Sequence, residues 1–504
     1  MVASSTRTGW KPVRRFACIL SGIILLTSFA ARAEEAGSGE RVMSRAEVEE
    51  MVQEAGNAYL SDPEVAEVFN AEFTTETRIL PDVWGGKSAY EVHTLTHNGQ
   101  SMSFLMEIIG EPDEQGLYPL YITLHGGGGA PAEENDGEWT NMFSYYKESV
   151  DSGIYVACRG ITDTWDLHFQ EASYPLYDRL IQYLIFQEYA DPNRVYLLGF
   201  SAGGDGVYQI APRMADRFAA VNMSSGHPNG VSLLNAANLP FSLQAGIRDY
   251  YSESAMRSVR CAEFEQVLQK YHETYGFGYE HQVLIHVPAG HNYNDYSDTE
   301  SIVLADPEDF ASRAAAENML DAFCETTKAF MGTYDVSEMS YLPTEWKEAY
   351  DDGLTDLVAN EMQLDLKAVN ANAVAYVSRF AREPAPMHLV WDLSTRAASR
   401  EVTSFYWLQA EADVNQGVIT ASFDPASNTY TVEPDADVNG DFFILVSPRL
   451  ADVSRPVGIS TPKGDFTVMI QPSEEVLTWS IYTTGDPEMA CVAAISYDEL
   501  DELY

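Results

Sequence analysis

Apolar positions along this chain change their spacing several times, and each change marks a different kind of element. Residues 40–72 carry apolar residues at helical spacing, with Pro63 just inside a helix start. From about 73 to 124 the apolar residues come in short runs, including SFLMEII (103–109) and YPLYITL (118–124), which predict strands. Strands and helices then alternate. GIYVAC (153–158), RVYLLGF (194–200), AAVNMSS (219–225), FSLQAG (241–246) and QVLIHVP (282–288) read as strands. Helices are expected over 174–189, 202–218 and 253–275. Alternation at this spacing predicts an α/β fold with a mostly parallel sheet covered by helices.

Residues 298–380 are Ala-, Glu- and Met-rich and helical in pattern. Beyond about 385 the pattern is all-β, running through HLVWDL, SFYWLQAEA, GVITASF, TYTVEP, DFFILVS, FTVMIQP and VLTWSIYTT. That predicts a β-sandwich-like appendage over 385–504 behind an α/β domain over 34–380. A helical insertion over 296–370 would stand where a lid could cover a site.

Composition narrows the function classes. The chain has 504 residues, with 45% hydrophobic and 12% aromatic, enough to bury a core. Acidic residues number 76 against 30 basic, a formal net charge of −46. Such a field repels polyanions and argues against nucleic acid or anionic lipid as partners. The first 33 residues hold basic residues and no acidic ones, then an apolar run from Phe16 to Ala30 and an Ala31-Arg32-Ala33 site. A cleavable signal peptide with cleavage near Ala33 is expected, and hence a secreted or periplasmic protein with no membrane span in the mature chain. Its acidic, lysine-poor surface would fit export into salty surroundings. Four cysteines remain, Cys158, Cys261, Cys324 and Cys491. Export permits disulfides, and Cys261–Cys324 is the pairing to examine first. No Cys/His spacing suits a metal, and no cofactor is implied.

Chemistry concentrates in one constellation. Gly199-Phe200-Ser201-Ala202-Gly203 matches G-x-S-x-G between a predicted strand and helix. A sharp strand-to-helix turn leaves a strained, exposed serine, and only small residues fit beside it. His125-Gly126-Gly127-Gly128-Gly129 follows a strand and can supply a backbone N–H to an oxyanion hole, Gly127 first and Gly128 behind it. Ala202 N–H would supply the second donor. A phosphate loop is excluded, because Gly86-Lys87-Ser88 has Pro81 where the first glycine of that motif belongs. A serine needs an imidazole to take its proton, and the imidazole needs a carboxylate to fix its tautomer. His291, on a glycine-flanked loop after a strand, fits the base; Asp249, after FSLQAG, fits the acid. Asp295 and Asp298 are rivals for the acid but lie close to His291 in sequence. Trp165 and His168, in the loop after GIYVAC, are expected to line the substrate pocket, or else to be packed surface residues. Asp435-Ala436-Asp437-Val438-Asn439-Gly440 begins like a calcium loop, but Val446 occupies the closing position and an Asn-Gly hairpin is expected instead.

These motifs resemble exported α/β-hydrolase esterases of the feruloyl esterase and polyhydroxybutyrate-depolymerase-like type, related to prolyl-oligopeptidase-like and dienelactone-hydrolase-like proteins. The resemblance runs from YITLHGGGG through the elbow to PAGHNY, and includes HLVWDL followed by SFYWL. It implies Ser201 as nucleophile, Asp249 as acid and His291 as base, acting on a small-molecule or polysaccharide-linked ester. Peptidase activity, or a binding role on a hydrolase scaffold, are the alternatives. Departures are the Gly-His-Asn-Tyr sequence at His291 and the extra segment over 296–370.

Overall fold

A computed structural model describes residues 42–82, 85–247, 249, 257–286, 289–293, 298–305 and 366–503. The expected signal peptide, Cys324 and most of the expected insertion lie outside these residues. Among the described residues the helices are α1 (Arg45–Leu60), α2 (Pro63–Glu72), α3 (Ala132–Tyr145), α4 (Ser173–Glu188), α5 (Ala202–Ile210), α6 (Arg257–Tyr275), α7 (Ala373–Val377) and α8 (Glu474–Thr484). The chain divides into two units, residues 66–399 and residues 42–65 with 400–503.

In the 66–399 unit eleven strands form one sheet. They are β1 (Phe73–Pro81), β2 (Lys87–His97), β3 (Gln100–Ile109), β4 (Tyr118–Leu124), β5 (Gly153–Cys158) and β6 (Ala190–Phe200), followed by β7 (Ala220–Ser224), β8 (Phe241–Gly246), β9 (His281–His286), β10 (Asp298–Ala305) and β11 (Leu366–Asn370). Their spatial order is β1-β2-β3-β5-β4-β6-β7-β8-β9-β10-β11. The centre from β5 to β9 is parallel. Both flanks are antiparallel, so the sheet is mixed rather than mostly parallel. Central strands β5, β7 and β8 are buried at every position, as helices on both faces require. Flanking β2 and β3 join through Asn98-Gly99, both at positive φ, the conformation that a two-residue hairpin favours. Trp139, Tyr155, Tyr196 and Leu198 centre the core on one face of the sheet. A twelfth strand, β12 (His388–Asp392), follows.

The segment expected to be a helical insertion over 296–370 begins and ends as strand. Residues 298–305 and 366–370 pair as β10 and β11 at the sheet edge, where Ile302 is buried. Its interior lies outside the described residues.

The 42–65 and 400–503 unit holds two sheets. One is β15 (Val418–Asp424), β16 (Thr429–Pro434), β18 (Val457–Thr461) and β19 (Gly464–Val468); the other is β13 (Ser404–Phe405), β14 (Leu408–Ala410), β17 (Phe442–Val446) and β20 (Ala493–Ser496). VLTWSIYTT, read as a strand, forms most of α8. Ser473 caps it by accepting the N–H of Val476, and Gly485 ends it at φ +64°. A capping box of Ser44 and Glu47 starts α1, and Tyr59 of that helix meets Tyr482 of α8 edge-on at 5.1 Å. The expected Asn-Gly hairpin is absent. Strands β16 and β17, on either side of 435–440, belong to different sheets, and the Asn439 side chain instead accepts the N–H groups of Asn415 and Gln416.

Cys158, Cys261 and Cys491 are free and buried. Cys324, the partner to examine first for Cys261, lies outside the described residues; burial pushes the Cys261 thiol up to about 12. No helix among the described residues is long and apolar enough to cross a membrane.

Candidate active site

The site forms at the C-terminal ends of the parallel strands. Ser201 follows β6 directly at φ +58°, ψ −120°, a conformation forced by the turn into α5. The flanking glycines are sterically required. A Cβ at Gly199 would meet the carbonyl oxygen of Gly203 at 2.1 Å, and one at Gly203 would meet that of Leu124 at 1.9 Å. Ser201 N–H donates to the carbonyl of Ser224 at 2.9 Å, which ties the elbow to the end of β7.

The structure brings Ser201, His291 and Asp249 into one line. Ser201 Oγ lies 2.9 Å from His291 Nε2. His291 Nδ1 lies 3.0 Å from both carboxylate oxygens of Asp249, which is buried. That geometry assigns Nδ1–H to the acid and leaves Nε2 to accept from the serine hydroxyl. Ser225 Oγ holds the His291 carbonyl at 3.1 Å, and the Phe200 ring packs at 5.2 Å from the imidazole.

Arg257 was not singled out by sequence reasoning. It stands at the start of α6 and places Nη1 3.0 Å from Asp249 Oδ1, so the buried carboxylate is shared between imidazole and guanidinium. Its backbone N–H also donates to the Asp249 carbonyl at 3.0 Å. A basic residue eight positions after the acid, within the first turns of a predicted helix, was the available signal.

The glycine loop lies beside the nucleophile, with Gly127 at φ +93° and Gly128 at φ +82°. Gly128 N–H is already donated to Asn135 Oδ1 of α3 at 2.9 Å. The N–H groups of Gly127 and Ala202 have no protein acceptor among the described residues. Asn135 donates in turn to Asp163 Oδ1 at 2.9 Å, and Arg159 pairs with Asp163 and with Asp136 at 2.8 Å. The Arg159 hydrogen bond holds the Asp163 carboxyl below its usual range.

Two buried histidines carry the loop from below. His125 Nε2 accepts the N–H of Gly160 at 3.1 Å, so its Nδ1–H donates to the Gly126 carbonyl at 2.6 Å. His168, expected to line the pocket, is fully buried and donates Nε2–H to the His125 carbonyl at 2.9 Å. It packs under the loop because Gly206 of α5 leaves it room; a Cβ there would meet His168 Cβ at 2.9 Å. Burial lowers the His168 imidazole to about 3, and keeps His125 well below its ordinary value. Trp165, by contrast, is 56% exposed, and its backbone borders Gly128.

Strand, elbow serine, acid and histidine in that chain order are the α/β-hydrolase arrangement. No family model and no curated protein matches the chain. Among solved structures it is similar to a thermostable esterase (16% identity, TM-score 0.27, covering 41% of this chain and 61% of that one). It is also similar to esterase PE8 (18%, TM-score 0.27, 45% and 99%). A third is acylaminoacyl peptidase in complex with Z-Gly-Gly-Phe-chloromethyl ketone (15%, TM-score 0.28, 44% and 38%). Thus the chain spans less than two thirds of the first and third of these. Likeness this distant bears on neither substrate nor reaction.

Proposed function

We propose that this protein is an exported serine hydrolase that cleaves carboxylic esters through an acyl-enzyme. One observation carries the reading: Ser201 Oγ at 2.9 Å from His291 Nε2, with His291 Nδ1 held at 3.0 Å by a buried Asp249. As the hydroxyl oxygen attacks the ester carbonyl, its proton passes to His291 Nε2. Negative charge moves to the carbonyl oxygen, where the N–H groups of Gly127 and Ala202 receive it, each donor being worth roughly 2.7–4 kcal/mol. His291 then protonates the departing alcohol. Water enters, gives its proton to the same nitrogen and releases the acid, so serine and imidazole return to their starting state. Asp249 keeps the tautomer and stabilises the imidazolium. The resemblance to feruloyl and polyhydroxybutyrate-type esterases leaves both small-molecule and polysaccharide-linked esters as candidate substrates.

Steady-state hydrolysis of p-nitrophenyl, feruloyl and peptide-anilide substrates tests this. Ester turnover should fall at least about 10⁴-fold in Ser201→Ala with the fold retained. Turnover of the anilides without the esters, or turnover surviving the substitution, would overturn it.

A further inference from the structure

Helix α3 is anchored by three contacts around its inner face. Asn135 accepts from the glycine loop, Trp139 donates Nε1–H to the Ala157 carbonyl at 2.8 Å, and Thr140 Oγ1 donates to the Pro81 carbonyl at 2.8 Å. Glu138 lies between these anchors, one helical turn after Asn135, and its position is set by them. A methyl group at Gly126 would stand 3.4 Å from Glu138 Oε2 and 3.3 Å from Ser201 Cβ. Carboxylate and nucleophile therefore border the same methyl-sized space. Glu138 Cγ also comes within 3.5 Å of where a Cβ at Gly127 would be, the loop residue whose N–H has no protein acceptor among the described residues.

Among the described residues, several other charges around the site are paired. Asp249 has Arg257, and Asp163 and Asp136 have Arg159. Glu138 is exposed and has no cation or hydrogen-bond partner among the described residues. A carboxylate with no partner among the described residues, set beside the oxyanion donors, opposes the negative charge that grows on a neutral ester in the transition state. A cationic group on the substrate reverses that effect, because it neutralises Glu138 and draws the ester into the site. Trp165, whose backbone borders Gly128, offers an exposed indole, a surface that alkylammonium groups also favour.

We propose that Glu138 is a specificity-determining residue that makes this site prefer esters bearing an ammonium group close to the scissile carbonyl over neutral or anionic ones. The proposal rests on the serine-esterase reading above.

Isosteric ester pairs test it. Butyrylcholine is compared with the uncharged neohexyl butyrate, and betaine ethyl ester with ethyl tert-butylacetate. Using kcat/KM ratios in wild type and Glu138→Gln cancels the intrinsic reactivity of each ester. In at least one pair the preference for the cation should fall about tenfold in the variant, and the wild-type preference should shrink as salt is raised. Neutral-ester turnover should rise in Glu138→Gln, and Glu138→Lys should reverse the preference. Equal ratios in wild type and both variants, with Ser201→Ala inactive, would overturn the role of Glu138 and leave the esterase reading standing. Absence of ester turnover in the wild type, or turnover surviving Ser201→Ala, would overturn the esterase reading and this proposal with it.

Discussion

Ser201 holds a backbone conformation that costs on the order of 1–3 kcal/mol for a non-glycine residue. It persists because Gly199 and Gly203 close around it and its N–H is fixed to Ser224. The neighbouring acid is constrained in a comparable way. Asp249 Oδ1 serves both His291 and Arg257, so removing the guanidinium leaves a buried carboxylate with one partner fewer. Arg257→Met should lower kcat about tenfold with KM within about twofold, since the acid positions the base without touching substrate. Arg257→Lys should recover much of the loss; an equal effect on KM, or no recovery, would count against a positioning role. Ser201, Asp249 and His291 were legible in the sequence because each sits at a strand end in a fixed order. Arg257 and Glu138 were not, because tertiary packing that no motif marks brings them to the site. His168 was misplaced for a related reason: a loop histidine beside an aromatic looks like pocket lining until Gly206 is seen to bury it.

At the scale of elements, the glycine loop rests on histidines that are buried and neutral. His125 and His168 lie beneath it. His286 on β9 donates to Gln244 Oε1 at 3.0 Å and accepts from Thr299 and Ser301 of β10, which ties the parallel centre to the antiparallel flank. Burial lowers His168 to about 3 and His286 to about 4, against an ordinary value of 6.5. Above 6.5 both folded and unfolded chains carry these rings neutral. Below it the unfolded chain takes up protons that the folded chain refuses, so stability falls as pH falls from 6.5 toward 4. Each ring should cost roughly 2 kcal/mol between pH 6.5 and 5, read as a drop in the urea midpoint. A flat midpoint across that range would show that the rings are not held neutral. Period-two and period-3.6 patterns located most of these elements. They failed over VLTWSIYTT, where apolar and β-branched residues mimic a strand and the caps at Ser473 and Gly485 carry the helical information. They failed again over 298–305 and 366–370, the last two strands of the sheet, whose pairing is set by register rather than composition.

For the molecule as a whole, the net charge of −46 shapes what can approach. A field of that sign collects cations and repels anions over distances set by salt. Glu138 concentrates the same preference at the nucleophile. The division of the chain joins residues 42–65 to 400–503. No periodicity encodes that grouping, because an amphipathic stripe is satisfied by any apolar face. Catalysis depends on Ser201 being an activated nucleophile, and a fluorophosphonate tests that most directly. Peptide mass spectrometry of the labelled protein should find one adduct, on Ser201, formed rapidly in the wild type and strongly slowed in His291→Ala. Labelling at another residue, or none while the protein is folded, would contradict the account.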